Sequence, residues 1–324
     1  MGRILTAGLL LAASAFSQKP TIRTTVPLVQ IPTSVTDRSG HPIYGLTASD
    51  FVVLDNGVER AIQVDPNDVG LAPIALVVAI QTSDLSSAAL AKIQKVGSMI
   101  SEAVVGENGE VAVLSFDDDI KILQDFTNDA DAVSNVFHSL KQSDSGRARM
   151  LDAVDDALGM LSSRPGARRP SILIIGETRD RGSKNKLPDL LAKAQRTDVT
   201  IYTLNYSVWI TPFTAKPDDY APANDGAPNY LAAFTETARL AKKNTAEALT
   251  LATGGRRIGF ETQSKLENDL MALGAEMHSR YLLSFTPQQD RHPAFHKLEV
   301  KIKDRPDATI KARQGYWTPL PAAQ

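Results

Sequence analysis

Seven consecutive apolar residues, Ile74 to Ile80, lie between Pro73 and the polar turn Gln81-Thr82-Ser83-Asp84. The run is far too short to cross a bilayer, which takes about 20 residues. It is rich in β-branched side chains and predicts a strand buried on both faces, as at the centre of a parallel sheet. After the turn, Leu85, Leu90, Ile93, Val96, Met99 and Ile100 recur largely at three- or four-residue steps and predict a helix. Strand, polar turn and helix form the first half of a βαβ unit, and open sheets of this kind gather ligands at that turn.

The same alternation continues downstream. Strands are predicted at Glu110–Phe116, Ile120–Phe126, Ser171–Ile175 and Val199–Asn205, with a short one at Arg257-Ile258. Helices are predicted at Asp129–Leu140, Leu151–Leu161, Leu187–Arg196, Thr245–Ala252 and Gln263–His278. Asp117-Asp118-Asp119 reads as a hairpin turn, and three adjacent carboxylates at a hairpin tip are an ordinary solvated turn. The order argues for an α/β, doubly wound, Rossmann-like domain over residues 73–286.

Both ends read differently. Residues 18–66 are all-β, with a hairpin around Asn56-Gly57. Tyr281–Thr286 is a strand that either closes the α/β sheet or leaves it. Residues 287–324 hold His296–Lys303, which puts Leu298, Val300 and Ile302 on one face, and Thr309–Arg313, predicted to return as a hairpin. Each β segment is too small to bury a core alone. They are expected to pair, with Leu298, Val300 and Ile302 facing Val52, Leu54 or their neighbours.

Residues 1–17 combine Arg3, an apolar stretch from Ile4 to Ala13 and small residues at Ala13-Ser14-Ala15 and Ala15-Phe16-Ser17, the pattern of a signal peptide. Nothing later is long and apolar enough to span a bilayer, so the expectation is an exported, soluble protein, periplasmic or extracellular. A chain without cysteine can be neither thiol-anchored nor disulfide-stapled. A formal charge of −2 gives no reason to expect nucleic acid as a partner.

Three patches resemble the von Willebrand factor A-related proteins of the acidobacterial type: Ser34–Ile62, Ser171–Leu204, and Tyr281–Gln288 together with the stretch from His296 to Trp317. The resemblance implies an A-type domain with a possible metal-ion-dependent adhesion site. That site uses Asp-x-Ser-x-Ser after the first strand, a Thr from a second loop and an Asp from a third. A hard dication needs several oxygen ligands near octahedral positions. Laid on that pattern, this chain offers Gln81, Ser83 and Leu85, then Ala148, then Glu177. Only Ser83 keeps its ligand type, so the site reads as degenerate and no metal or other cofactor is expected.

Other chemistry has little support. His41, His138, His278, His292 and His296 show no paired-ligand spacing, and Gly-x-Ser-x-Gly is absent. The expected function is a secreted, non-enzymatic module binding an unidentified protein or glycan of the cell envelope. The alternative is a Rossmann-like enzyme or binding protein taking a small phosphate or sugar at the same top face. The top loops also carry Asp84, Arg147, Arg149, Arg179 and Asp180, and Arg147 or Arg149 is expected to pair with Glu177 or Asp180. Between Tyr206 and Lys243 the chain holds Trp209, Phe213, Tyr220 and Tyr230, which either pin that segment to the domain or anchor a partner.

Overall fold

The computed structural model describes residues 28–65, 73–83, 87–164, 169–206, 244–288 and 294–318. The signal-peptide reading of residues 1–17 falls outside them. So do Asp84, Leu85 and the aromatic residues Trp209, Phe213, Tyr220 and Tyr230.

The described chain begins with β1 (Val29–Thr36), β2 (Phe51–Asp55), β3 (Val58–Arg60) and β4 (Gln63–Asp65). β2 and β3 form the expected hairpin, with Asp55 opposite Val58. Its two-residue loop has positive φ at both Asn56 (50°) and Gly57 (83°), which suits a type I′ turn and explains the Asn-Gly pair.

β5 (Ile74–Gln81) is buried at every position. Ile74, Leu76, Val78 and Ile80 enter one core cluster, and Ala75, Val77 and Ala79 enter another. This strand therefore has a helical layer on each side, and each fully buried Ile, Leu or Val contributes about 1.5–3 kcal/mol relative to exposure. The helix predicted next is broken. α1 (Ser87–Ile93) ends in a tight turn, and α2 (Gly97–Met99) then runs on as a π-helical turn, Ile100–Val105. A side chain at Gly97 would meet Phe137 Cβ at 2.9 Å, so close packing governs the restart.

The remainder follows in order: β6 (Glu110–Phe116), β7 (Ile120–Thr127), α3 (Ala130–Ser139), α4 (Met150–Ser162), β8 (Arg169–Gly176), α5 (Leu187–Arg196) and β9 (Thr200–Tyr206). Then come α6 (Thr245–Thr253), β10 (Arg257–Phe260) and α7 (Gln263–His278). The sheet order is β10-β9-β8-β5-β6-β7, parallel except for β7, which pairs antiparallel with β6. Counted from β5, that is the doubly wound order 3-2-1-4-5-6, which reverses direction between β5 and β8. α1, α2, α3 and α7 cover one face, and α4, α5 and α6 the other.

The chain closes with β11 (Tyr281–Phe285), β12 (Phe295–Ile302), β13 (Thr309–Lys311) and β14 (Gly315–Trp317). β11 leaves the α/β sheet and pairs antiparallel with β1 and β4. The strand at the end of the 73–286 span thus belongs to the β layer, and the α/β domain stops with α7. β12 lies between β2 and β14, whereas β13 pairs with β1. The expected hairpin between the strands at 296–303 and 309–313 is corrected accordingly, since the chain crosses between them to the other sheet. The two four-stranded sheets, β13-β1-β11-β4 and β14-β12-β2-β3, share one core. Phe51 packs edge-on to Tyr281 at 5.3 Å and Phe285 to Tyr316 at 5.8 Å between ring centroids.

Leu298, Val300 and Ile302 stand opposite Asp55, Val53 and Phe51, the neighbours of Val52 and Leu54. With four apolar residues in a row, Phe51 to Leu54 do not reveal which face turns inward.

Candidate functional site

The sheet reverses its winding at the C-terminal ends of β5 and β8, and there the crevice is filled by Gln81. Its side chain is fully buried. Gln81 Oε1 accepts the Glu177 backbone N–H at 2.9 Å, which settles which end of the amide is oxygen. Gln81 Nε2 donates to the Ser83 carbonyl at 3.0 Å and toward Ser83 Oγ at 3.5 Å. A side chain at Gly176 would meet Gln81 Oε1 at 2.8 Å, so the close approach needs glycine there. The amide ties the first loop to the third.

A divalent cation at this place would need oxygen lone pairs. The Gln81 amide instead directs its N–H groups at the Ser83 oxygens, and Ala148 has no side-chain oxygen to offer. Ala148 is buried, and its backbone exchanges hydrogen bonds with Arg181, N to O at 3.0 Å and O to N at 2.8 Å. Gln81, Ser83 and Ala148 do not fit the metal that the sequence resemblance implies. Among the described residues there is no group of three or more His, Asp or Glu side chains arranged to hold a metal.

The charged residues of the loops are matched, but not as expected. Arg147 Nη1 reaches Asp118 Oδ1 at 3.0 Å, with both side chains exposed. Arg149 grips Asp152 Oδ2 with Nε at 2.8 Å and Nη2 at 2.6 Å, and gives Nη1 to the Asp118 carbonyl. Arg181 pairs with Glu177 at 3.2 Å. Asp180 accepts the Leu151 N–H at 3.0 Å and the Ser183 hydroxyl at 2.6 Å, so it caps α4 from another loop. The expected pairing of Arg147 or Arg149 with Glu177 or Asp180 is therefore corrected: nearer carboxylates take both arginines, and orphan helix amides take Asp180. Arg179 is exposed on the same loop.

Asp152, which sequence reasoning did not single out, is the hub. It is 4% exposed and also accepts the Lys184 and Asn185 backbone N–H groups. Burial pushes its carboxyl upward, but these amides and Arg149 outweigh burial and hold it below the usual range. Asp117 is similar: burial is outweighed by the Asp119 N–H and the Ser143 and Thr82 hydroxyls. The signal in the sequence was weak, since Asp152 falls within the first turn of a helix, where carboxylates are common.

A recess of ≈ 280 Å³ adjoins this network on the β6 side, lined by Thr82, Ser115, Asp117, Lys121 and the stretch from Ser139 to Ser143. β9 ends and α6 begins at this same edge of the sheet.

A second polar cluster lies in the β layer. Asp55 is fully buried and takes His296 Nδ1 at 2.6 Å, the Tyr316 hydroxyl at 3.2 Å and Arg60 through Nε at 3.1 Å and Nη2 at 2.9 Å. His296 shares the alternating face of Leu298 and Val300, which was its signal in the sequence.

The sequence matches no protein-family model and no curated protein. Among solved structures the chain is similar to BatB from Bacteroides thetaiotaomicron, with 13% identity over 63% of this chain and 98% of that one, at a TM-score of 0.44. It is also similar to the vWF domain of the type V pili tip protein Mfa5 from Porphyromonas gingivalis, with 10% identity over 63% of this chain and 94% of that one, at 0.43. A third, the SpRpn10 VWA domain, shares 13% identity over 61% of this chain and 93% of that one, at 0.37. Two of the three are named as vWF or VWA domains, the kind the sequence resembles, while the doubly wound, Rossmann-like character of the chain rests on its own strand order and register.

Proposed function

We propose that this chain is an exported, non-enzymatic interaction module whose top face binds a protein or glycan of the cell envelope, and that the residues at the metal-site positions are vestigial. One observation carries the reading: Gln81 joins the first and third top loops through its own amide, so the face is complete without an ion. The charges around Asp152 are matched by one another and by backbone N–H groups, and such preorganisation lowers the entropy lost on docking. The segment from 207 to 243, with Trp209 and Tyr220, supplies the aromatic contacts that interfaces favour.

The test uses the mature protein as bait on the envelope fraction, beside a Trp209→Ala/Tyr220→Ala variant. Loss of one specific partner with an unchanged melting temperature supports the proposal. Equal capture by both baits, or a collapse of the variant's fold, returns the segment to a structural role.

A further inference from the structure

The opposite end of the sheet carries charge that no described residue pairs with. A cavity of ≈ 70 Å³ opens where the start of β5 and β8 meets the β layer, lined by Gln30, Ile74, Arg169, Asp198, Arg280 and Tyr281 among others. Arg280 is 6% exposed. Its Nη1 donates to Thr200 Oγ1 at 2.9 Å and to the Tyr202 hydroxyl at 2.8 Å. Its Nε and Nη2 are buried and have no hydrogen-bond partner among the described residues. Elsewhere in this chain that same Nε–Nη2 edge is the one that grips a carboxylate, from Arg149 onto Asp152 and from Arg60 onto Asp55.

Arg169 stands beside it, with Nη1 donating to the Met277 and His278 carbonyls at the end of α7. Burial and the neighbouring Arg280 both push the Arg169 guanidinium downward, the mark of two cations sharing one desolvated place. Asp65 acts on Arg169 only from beyond ion-pair distance. Asp198 also lines the cavity, but its Oδ1 is taken by Arg313 at 2.9 Å, and that pair is neutral as a unit. Asp198 apart, no carboxylate lines the cavity, and among the described residues none lies within ion-pair distance of Arg280 or Arg169.

We propose that this seam binds a small tetrahedral oxyanion, a phosphate or sulfate group, through the Nε–Nη2 edge of Arg280 with Arg169 as the second cation. A planar guanidinium fork matches two oxygens of such a group. The volume is that of a few water molecules, at about 30 Å³ each in the liquid, which is on the scale of the anionic group itself. It is separate from the top face and does not depend on the function proposed for it. Bound there, the anion would clamp the β layer onto the base of the α/β sheet.

The experiment follows the melting temperature and heat of binding of the full mature chain. Inorganic phosphate, sulfate, glycerol phosphate and acetate are each titrated against sodium chloride of equal ionic strength. A saturable rise with phosphate or sulfate beyond the chloride control is expected. A rise with inorganic phosphate alone assigns the site to the free ion, and an equal rise with glycerol phosphate assigns it to the phosphoryl end of a larger molecule. Gln30→Glu places a carboxylate in the cavity; it should abolish the response and raise the melting temperature in phosphate-free buffer. Arg280→Lys keeps the charge without the fork and should weaken binding about tenfold. No saturable response to phosphate or sulfate, a response to acetate alone, or an undiminished response in Gln30→Glu overturns the proposal.

Discussion

The two ends of the central sheet handle charge in opposite ways. At the C-terminal edge, Asp152, Asp180, Arg147, Arg149 and Gln81 all find partners on neighbouring loops, and the crevice where such sheets hold ligands is plugged from within. At the N-terminal edge, Arg280 is buried, its Nε and Nη2 have no partner among the described residues, and Arg169 stands beside it. Location in the fold therefore does not by itself identify a small-ligand site. The more informative question is where buried charge has been left without an internal answer.

The sharpest way to break this comparison is to remove a central group from each end. Asp152→Ala should lose about 3 kcal/mol in urea unfolding, because it strands the Arg149 charge and two backbone amides. Arg280→Met should cost less than about 1.5 kcal/mol, since replacing an unmatched buried ion by an apolar chain of similar length offsets the lost hydrogen bonds. Equal losses would show that Arg280 is as well satisfied as Asp152.

Next in size is Gln81→Asp. The new carboxylate cannot donate to the Ser83 carbonyl and places a charge at a fully buried position, so a loss of about 2 kcal/mol is expected. Millimolar Mg²⁺ should leave the melting curve of this variant unmoved. Recovery with Mg²⁺ would reveal a cation site that one residue had silenced.

The carboxylates at the two ends should also differ in pH response. Asp152 is held below its ordinary value, because its hydrogen bonds overcome burial, so its contribution is present above the unfolded pKa and lost as pH falls. Asp198 is pushed above its ordinary value, chiefly by burial, despite Arg313, so its contribution is present at acid pH and lost as pH rises. Unfolding titrations from about pH 3 to 6 should therefore show the wild type gaining on Asp152→Asn and losing ground to Asp198→Asn as pH increases. Parallel trends would remove the contrast. The smallest effect belongs to Arg147→Ala, which deletes one exposed ion pair and should change stability by no more than about 0.5 kcal/mol.

Much of the fold was legible. The helices predicted at Leu187–Arg196 and Gln263–His278 have those same bounds, because apolar residues repeat along them and polar stretches mark their ends. The buried strand at Ile74–Ile80 and the hairpins at Asn56-Gly57 and Asp117–Asp119 also followed from local chemistry. Partner choice did not. Nothing in Tyr281–Phe285 says that it pairs with Val29–Thr33 rather than with the α/β sheet, since a short strand that is apolar except at Ser284 suits either. The loss of oxygen ligands at Gln81 and Ala148 could be read directly, but the hub at Asp152 could not, because its donors come from a loop some thirty residues further on. Arg169 opens β8 and Arg280 directly precedes β11, places where a basic residue is unremarked until folding brings the two together.

One feature of the β layer bears on how the molecule is made. β1 is stitched between β11 and β13, and β2 between β12 and β3. During synthesis the first strands are made early, yet their neighbours appear only after the whole α/β domain has been translated. At 5–20 residues per second, the usual order of ribosomal speed, that interval is roughly ten seconds or more. Throughout it β1 has neither neighbour and β2 has only the three-residue β3, an opening for pairing with the wrong chain. The α/β domain can complete its mainly local units meanwhile, so it matures first and the β layer is the late, slow step. Helpers that bind extended segments would act on the N-terminal strands in that interval, and errors of assembly would concentrate there.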